Sequence, residues 1–412
     1  MSTCLRGAAQ VVRPPEDGLP FVRLDRAGAI TAEPGSVTLD GGVVAGFETD
    51  AGAPLQVDAS GCAVVPGFVD CHTHLPFAGW RAQEYEQKVT GVPYEEIARR
   101  GGGIRASARA LAETADDAVL AQARTLAREM LEHGTTTFEC KSGYGLSVAG
   151  ERRALELADR LEHEVEQATT ATALLAHAVP DGYDADGWMA EMAGLVPAIA
   201  RDGLAGALDI YVESIAFSNE HLARMGELAA AHELDLRAHV EQFNANRSVP
   251  VALAAGARSV DHLARLHPDD VAPLAAADCA AVLLPGAEVM GAEATPPARE
   301  LADAGAIGVL ATDANPGTSP VVSIPLVVGL AVRRYGWSVR EALAACTLNA
   351  AWVLRRSAET GSLEVGKRAD VLLLDGPVEH VPYRLGHNPV AAVWLAGELL
   401  WVRPDQAWRL SS

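Results

Sequence analysis

The chain has 412 residues, of which 49% are hydrophobic, and its 33 basic against 54 acidic side chains give a formal net charge of −21 at pH 7. This composition is typical of a globular protein with a large core and argues against a disordered chain. The acidic balance repels phosphate backbones, so we expect no nucleic-acid partner.

The cysteines and the apolar runs indicate the compartment. Six cysteines without a Cys-x-x-Cys pair do not form the framework of a small secreted protein. The first residues lack the charged-then-apolar order of a signal peptide. The longest apolar runs, such as residues 324–332, are much shorter than a membrane span. We therefore expect a soluble cytoplasmic protein with no membrane partner.

Both ends of the chain are rich in short strand-like runs. An Asp-Gly-Gly turn at residues 40–42 separates two such runs, and an Asp-Gly turn in this setting indicates a hairpin. Residues 369–375 and 390–401 have the same character near the C-terminus. We interpret the two ends as halves of one small β-sandwich domain around a central domain. The predicted divisions are residues 1–63, 64–360 and 361–412.

The central segment alternates apolar strand-like runs with amphipathic helical stretches. Eight such alternations predict an α/β fold, namely a (β/α)₈ barrel of the TIM type. The predicted strands cover residues 64–69, 135–140, 171–177, 206–213, 234–239, 257–262, 279–284 and 306–313.

The first of these strands leads into two histidines separated by one residue, His72 and His74. Alternate residues of an extended chain point to the same side, so both imidazoles can reach one metal ion. A His-x-His pair also occurs by chance in proteins without metal. The pair by itself therefore leaves both interpretations open.

Further polar residues follow the other predicted strands, at the end of the barrel where active sites form. Neutral imidazoles and a carboxylate suit Zn²⁺ or Fe²⁺. Such an ion lowers the pKa of a bound water, and a neighbouring carboxylate can take the proton. We predict one divalent ion, Zn or Fe, held by His72, His74, His239 and Asp313, with Asp313 and His262 as the catalytic residues.

Two further features bear on this prediction. A second ion would need a bridging ligand, and the fourth predicted strand contains no lysine that could supply one, so a single ion is the better interpretation. Arg81 follows His74 by seven residues, and a loop arginine above the metal could bind a carboxylate with two hydrogen bonds. From its spacing alone, Arg81 could equally be a surface residue.

The order of these residues resembles the metal-dependent amidohydrolase superfamily, whose barrel is flanked by a β-sandwich made from both chain ends. Closer motifs are similar to those of the imidazolonepropionase family. They include Pro-Gly-Phe-Val-Asp-Cys-His-Thr-His-Leu at residues 66–75, Lys-Ser-Gly-Tyr-Gly-Leu at 141–146 and Thr-Asp-Ala-Asn-Pro-Gly-Thr at 312–318.

The resemblance implies hydrolysis of the cyclic amide of 4-imidazolone-5-propanoate to N-formimino-L-glutamate in histidine degradation, by a homodimer. It implies that Arg81 binds the propanoate carboxylate. It also places Tyr144, His177, Asn315, Gly317 and Thr318 against the small-molecule substrate.

Two residues depart from the pattern of that family. Gln242 stands where a glutamate is usual, and an amide can hold a ring nitrogen by a hydrogen bond but cannot shuttle a proton. Trp80 stands where a small or polar residue is expected. The alternatives that follow are a related amidohydrolase for another small carboxylate-bearing heterocycle, and a non-catalytic scaffold.

Overall fold

A computed structural model describes residues 2–92, 94–291 and 294–411. Over this part of the chain the backbone forms two β-sheets and an outer layer of helices. The N-terminal segment contributes five strands to the first sheet. They are β1 (Thr3–Arg13), β2 (Thr31–Asp40), β3 (Val43–Gly46), β4 (Leu55–Asp58) and β5 (Ala63–Pro66).

The second sheet contains eight parallel strands in sequence order. With helices between the strands, this sheet confirms the predicted (β/α)₈ barrel. Its strands are β6 (Phe68–Asp70), β7 (Thr135–Lys141), β8 (Ala168–Ala176), β9 (Ala207–Val212), β10 (Asp235–Val240), β11 (Ser259–His262), β12 (Ala280–Leu283) and β13 (Ile307–Leu310).

The C-terminal segment returns to the first sheet, as the strand-rich ends of the sequence predict. Its strands pair with those of the N-terminal segment, because β14 runs antiparallel to β5 and β17 antiparallel to β4. The long strand β1 pairs with β2 along its whole length, and it also pairs with β4 near its start and with β5 near its end. These last strands are β14 (Val371–Leu374), β15 (Val390–Leu395), β16 (Glu398–Val402) and β17 (Leu410–Ser411).

The helices cover the outside of the barrel and connect its strands. No helix in the described ranges is both long enough and apolar enough to cross a membrane. The helices are α1 (Ala82–Val89), α2 (Tyr94–Arg99), α3 (Ile104–Glu113), α4 (Asp116–Glu132), α5 (Val148–Glu162), α6 (Ala185–Asp202), α7 (Asn219–Ala231), α8 (Val249–Ala254), α9 (Pro268–Ala276), α10 (Pro285–Gly291), α11 (Ala298–Asp303), α12 (Ile324–Tyr335), α13 (Val339–Ala345), α14 (Leu348–Val353) and α15 (His380–Tyr383).

The run at residues 64–69, predicted as one barrel strand, is two strands in two different sheets. Pro66 pairs with Val371 of the terminal sheet, whereas Phe68 pairs with Thr135 of the barrel. Gly67 makes the crossing possible, because a Cβ atom there would lie 2.1 Å from the hydroxyl oxygen of Thr136. The division of the chain at residues 63/64 and 360/361 stays a prediction.

The alternation of side chains along the barrel strands positions the site. In β9, Leu208, Ile210 and Val212 belong to a large apolar cluster that includes residues of the surrounding helices. Asp209 and Tyr211 take the alternate positions, and their side chains meet those of Lys141 and His177 across the strands. Strand β10 repeats the pattern, with Leu236, Ala238 and Val240 in the cluster and Arg237 and His239 on the other side. The barrel interior is therefore polar at these strands, whereas branched apolar residues usually fill it.

Candidate metal centre and substrate pocket

The structure brings the four predicted metal ligands together although the sequence separates them widely. The Nε2 atoms of His72 and His74 lie 3.5 and 3.2 Å from one carboxylate oxygen of Asp313. The ring of His239 is centred 4.5 Å from that of His72 and 5.7 Å from that of His74. All four side chains are buried. Three imidazoles and one carboxylate thus converge at the carboxyl end of the barrel.

Two of these imidazoles are oriented by buried carboxylates that the sequence analysis did not identify. The Nδ1 atom of His72 lies 2.6 Å from Asp261, and that of His239 lies 3.1 Å from Asp209. An ionised carboxylate can only accept a hydrogen bond, so each Nδ1 must carry the hydrogen. Each Nε2 then keeps a free lone pair. Within the described residues, neither Nε2 atom has a hydrogen-bond partner. Buried nitrogens without partners, each backed by a carboxylate, fit a divalent metal ion.

The burial of the histidines keeps them in the form that binds metal. Burial lowers the pKa of His72 and His74 well below the ordinary value, and the positive charge of Lys141 lowers it further in both. Burial also raises the pKa of Asp313. Neutral imidazoles are the required ligand form for Zn²⁺ or Fe²⁺.

The donor atoms form overlapping groups of the right size for a metal ion. Within the described ranges, one group combines His72, His74 and Asp313, and another combines His72, His239 and His262, with donor atoms within 4.8 Å of one another in each. His262 therefore borders the same place as the predicted ligands. Its ring is centred 5.5 Å from that of His239.

The backbone is strained where the strands deliver these side chains. His262 has φ = 78° and Asp313 has φ = 54°, a left-handed conformation that favours glycine. Non-glycine residues in this region cost about 1–3 kcal/mol each and cluster at functional sites. His262 is the last residue of β11 and Asp313 lies three residues beyond β13, so both conformations occur where buried barrel strands end.

A small cavity lies beside the metal centre, and most of the predicted substrate residues line it. Arg81, Tyr144, His177 and Gln242 contribute to its wall, together with Asn315 and Thr318. The metal-site residues His74, His239, His262 and Asp313 line it as well, so the predicted binding and catalytic side chains face one space. The sequence analysis missed three wall residues, which are Ile104, Tyr211 and Phe243.

The side chain of Arg81 belongs to this wall and is only 8% exposed, so it is not a freely exposed surface residue. Its guanidinium lies 3.3 Å from Glu84 and donates a hydrogen bond to the hydroxyl of Ser107 at 2.9 Å. It also lies flat against Gly317, where an added Cβ atom would come within 1.8 Å of Nη2. Gly317 thus acts by leaving room for Arg81, and it is absent from the wall itself.

The loop that carries Tyr144 is held by a buried carboxylate. Glu151 accepts hydrogen bonds from the backbone N–H groups of Gly143, Gly145 and Leu146 at 2.7–2.9 Å. The ring of Tyr144 lies 5.3 Å from that of His177, whose Nδ1 atom lies 3.0 Å from the carbonyl of Gly143. His177 in turn stacks on His74 at 5.3 Å. The loop and the metal centre are therefore packed as one unit.

Asn315 shapes the last loop of the site. Its side-chain oxygen accepts the N–H groups of Gly317 and Thr318 at 2.9 and 2.8 Å, and its amide donates to the carbonyl of Asp313 at 2.7 Å. Trp80, the other departure noted in the sequence, is half-exposed and packs against Phe77. It lines a neighbouring cavity of about 460 Å³ and lies outside the wall of the site cavity.

Comparisons with known proteins agree with this architecture. Residues 63–400 match the model of the Amidohydrolase family. The chain is 42% identical over 372 residues to an imidazolonepropionase of Deinococcus radiodurans, covering 89% of this chain and 92% of that protein. It is also 42% identical over 381 residues to an imidazolonepropionase of Rubrobacter xylanophilus, covering 91% of this chain and 89% of that one.

Solved structures show the same fold at low sequence identity. An adenosine deaminase from Xanthomonas campestris with bound zinc matches with a TM-score of 0.70 at 18% identity, covering 97% of this chain and 93% of that one. A guanine deaminase from C. acetobutylicum matches with a TM-score of 0.69 at 14% identity, covering 97% and 100%. The chain belongs to the amidohydrolase family and, within it, to the imidazolonepropionase family.

Proposed function

We propose that the protein hydrolyses the cyclic amide of 4-imidazolone-5-propanoate to N-formimino-L-glutamate, a step of histidine degradation. The observation that carries this proposal is the cavity shared by Arg81, whose side chain is only 8% exposed, and a cluster of side chains that could hold a metal ion. The similarity to curated imidazolonepropionases supports the choice of substrate.

Arg81 binds the propanoate carboxylate in this proposal. A guanidinium offers five N–H donors in a planar fork, and contacts to Glu84 and Ser107 use only part of them. The close approach of Gly317 holds the guanidinium in a fixed plane. The substrate is thereby anchored at one end, and its ring is directed towards His262 and Asp313.

His72, His74, His239 and Asp313 would hold one divalent ion, Zn²⁺ or Fe²⁺. When bound, such an ion lowers the pKa of a coordinated water towards neutrality. Asp313 accepts the proton of the attacking water, and His262 polarises the ring carbonyl. Attack at that carbon breaks the ring C–N bond, and the leaving nitrogen takes up a proton. Gln242 holds a ring nitrogen by a hydrogen bond during these steps.

The test is turnover of 4-imidazolone-5-propanoate by purified protein of measured metal content. Asp313→Asn should abolish turnover while the protein keeps its fold and still binds the substrate. Near-normal activity of this variant would remove Asp313 from its role as base. Faster hydrolysis of a hydantoin that carries the same propanoate would instead identify a related amidohydrolase, and a folded protein that takes up no metal would favour the scaffold.

We also propose that the active form is a cytoplasmic homodimer, which the family resemblance supports. Sedimentation of the purified protein tests the oligomeric state. A single species with the mass of one chain, about 43 kDa, would contradict it.

A further inference from the structure

Five charged side chains are buried together in the barrel below the metal centre. Asp209, Asp261 and Glu139 are carboxylates, and Lys141 and Arg237 are cations, and none of them is more than 1% exposed. With all five ionised, the group carries a net charge of −1. Charges at this depth are retained only when their partners satisfy them.

Four of the five side chains form two parallel relays that begin at histidines of the site. In the first, Nδ1 of His72 lies 2.6 Å from Oδ2 of Asp261, and Arg237 donates to the same oxygen at 3.1 Å. In the second, Nδ1 of His239 lies 3.1 Å from Oδ1 of Asp209, and Lys141 donates to Oδ2 at 2.6 Å. Each relay thus runs from an imidazole through a carboxylate to a cation.

Glu139 joins the two relays. Its carboxylate lies 3.1 Å from the ammonium of Lys141, and it accepts a short hydrogen bond from Arg237. The backbone carbonyl of Glu139 also accepts a hydrogen bond at 2.5 Å from the hydroxyl of Thr73, the residue between His72 and His74. Among the described residues, the hydrogen bonds and ion pairs of the Glu139 carboxylate involve Lys141, Arg237 and Thr172. The route of contacts from Glu139 to His72 and His239 therefore passes through the two cations.

We propose that Glu139 is a positioning residue of the metal centre, which holds Lys141 and Arg237 together and thereby fixes the two carboxylates that orient His239 and His72. The proposal rests on the proposed assignment of these histidines as metal ligands. Removing the charge of Glu139 should weaken metal binding for two reasons. It takes a negative charge from beneath a divalent cation, and it leaves two cations that compete with the imidazoles for Asp209 and Asp261.

The experiment measures metal affinity without substrate. Loss of a group that supports a metal ligand typically weakens binding about 10–100-fold, so Glu139→Gln should raise the dissociation constant for Zn²⁺ at least about tenfold in chelator competition. The visible absorption of the Co²⁺-substituted protein should shift as well, because the orientation of the imidazoles changes. Glu341→Gln is the matched control, since it removes a carboxylate paired with Arg299 on the outside of the barrel. It should leave both readouts unchanged.

Arg237→Lys is the second variant, in case Glu139→Gln does not fold. It preserves the charge, but an ammonium cannot bridge Glu139 and Asp261 as the guanidinium does, so Zn²⁺ affinity should fall here too. Folded variants with the wild-type dissociation constant and Co²⁺ spectrum would overturn the proposal. Failure of both variants to fold even with added Zn²⁺ would overturn it as well, because the network would then serve the barrel alone. Since no substrate is present, these results stand or fall independently of the proposed reaction.

Discussion

The backbone N–H of Asp313 donates a hydrogen bond to the carbonyl of His72 at 3.0 Å. Two residues further on from His72, the N–H of His74 donates to the carbonyl of Ala314 at 2.9 Å, and Thr73 and Ala314 form a parallel bridge. These contacts join the segment after the first barrel strand to the segment after the last one. The seam of the barrel therefore runs through the proposed metal ligands.

Metal removal should loosen this seam. An ion bound to side chains on both sides of the seam adds its binding free energy to the folded state, so dialysis against a chelator should lower the melting temperature. Hydrogen exchange should accelerate at the amides of His74 and Asp313. The amides between β1 and β2 serve as the internal control and should exchange as before. Equal acceleration in both places would contradict a local role for the ion.

Arg81→Ala should mainly raise KM. A hydrogen bond to a charged group contributes about 1.5–3 kcal/mol, so the increase should be about 10–150-fold. Arg128→Ala, which removes an exposed arginine paired with Glu132, is the control and should leave KM unchanged. The sharper measurement repeats the assay with an imidazolone that lacks the propanoate. If Arg81 binds that carboxylate, the two losses are strongly non-additive. If the two losses simply add, Arg81 does not bind the propanoate carboxylate.

Gly317→Ala should imitate the loss of Arg81 without touching its charge. The new methyl group would collide with the guanidinium at Nη2 and Nε, so Arg81 would have to leave its place between Glu84 and Ser107. We expect an increase in KM of at least about tenfold with little change in stability. Gly194→Ala in α6 is the control, because nothing lies within 4 Å of the added methyl group. A Gly317→Ala enzyme with the wild-type KM would show that the position of Arg81 is unimportant.

The buried His177 should make the protein less stable in acid. Burial lowers its pKa well below the ordinary value, so below about pH 6.5 the unfolded chain binds a proton that the folded chain does not. The free energy of unfolding should therefore fall as the pH decreases from 7.5 to 5.5, in chelator-treated protein. In His177→Asn this fall should be smaller by about 1.4 kcal/mol. The free energies come from urea denaturation at each pH. The same pH dependence in both proteins would show that His177 is not the source of the acid sensitivity.

The sequence determined the barrel because its signal is local. Apolar residues at every second position predict strands whose outer face packs on helices, and the run in β9 follows this rule with Leu208, Ile210 and Val212. The same period places His72 and His74 on one side of the chain. The prediction from this period was wrong at residues 64–69. There the apolar run passes from one sheet to the other at Gly67, whose lack of a Cβ atom leaves room for Thr136.

Tertiary structure alone decided what supports the proposed metal ligands. His72 and Asp261 are separated by 189 residues, and Glu139 and Arg237 by 98. No local period connects such pairs, because the barrel brings them together only when its strands lie side by side in register. The partners of Arg81 are likewise set by the fold, since the contact with Gly317 depends on two loops meeting above the barrel. The sequence thus specified which chemical groups are present, and the barrel determined which of them face one another in its buried interior.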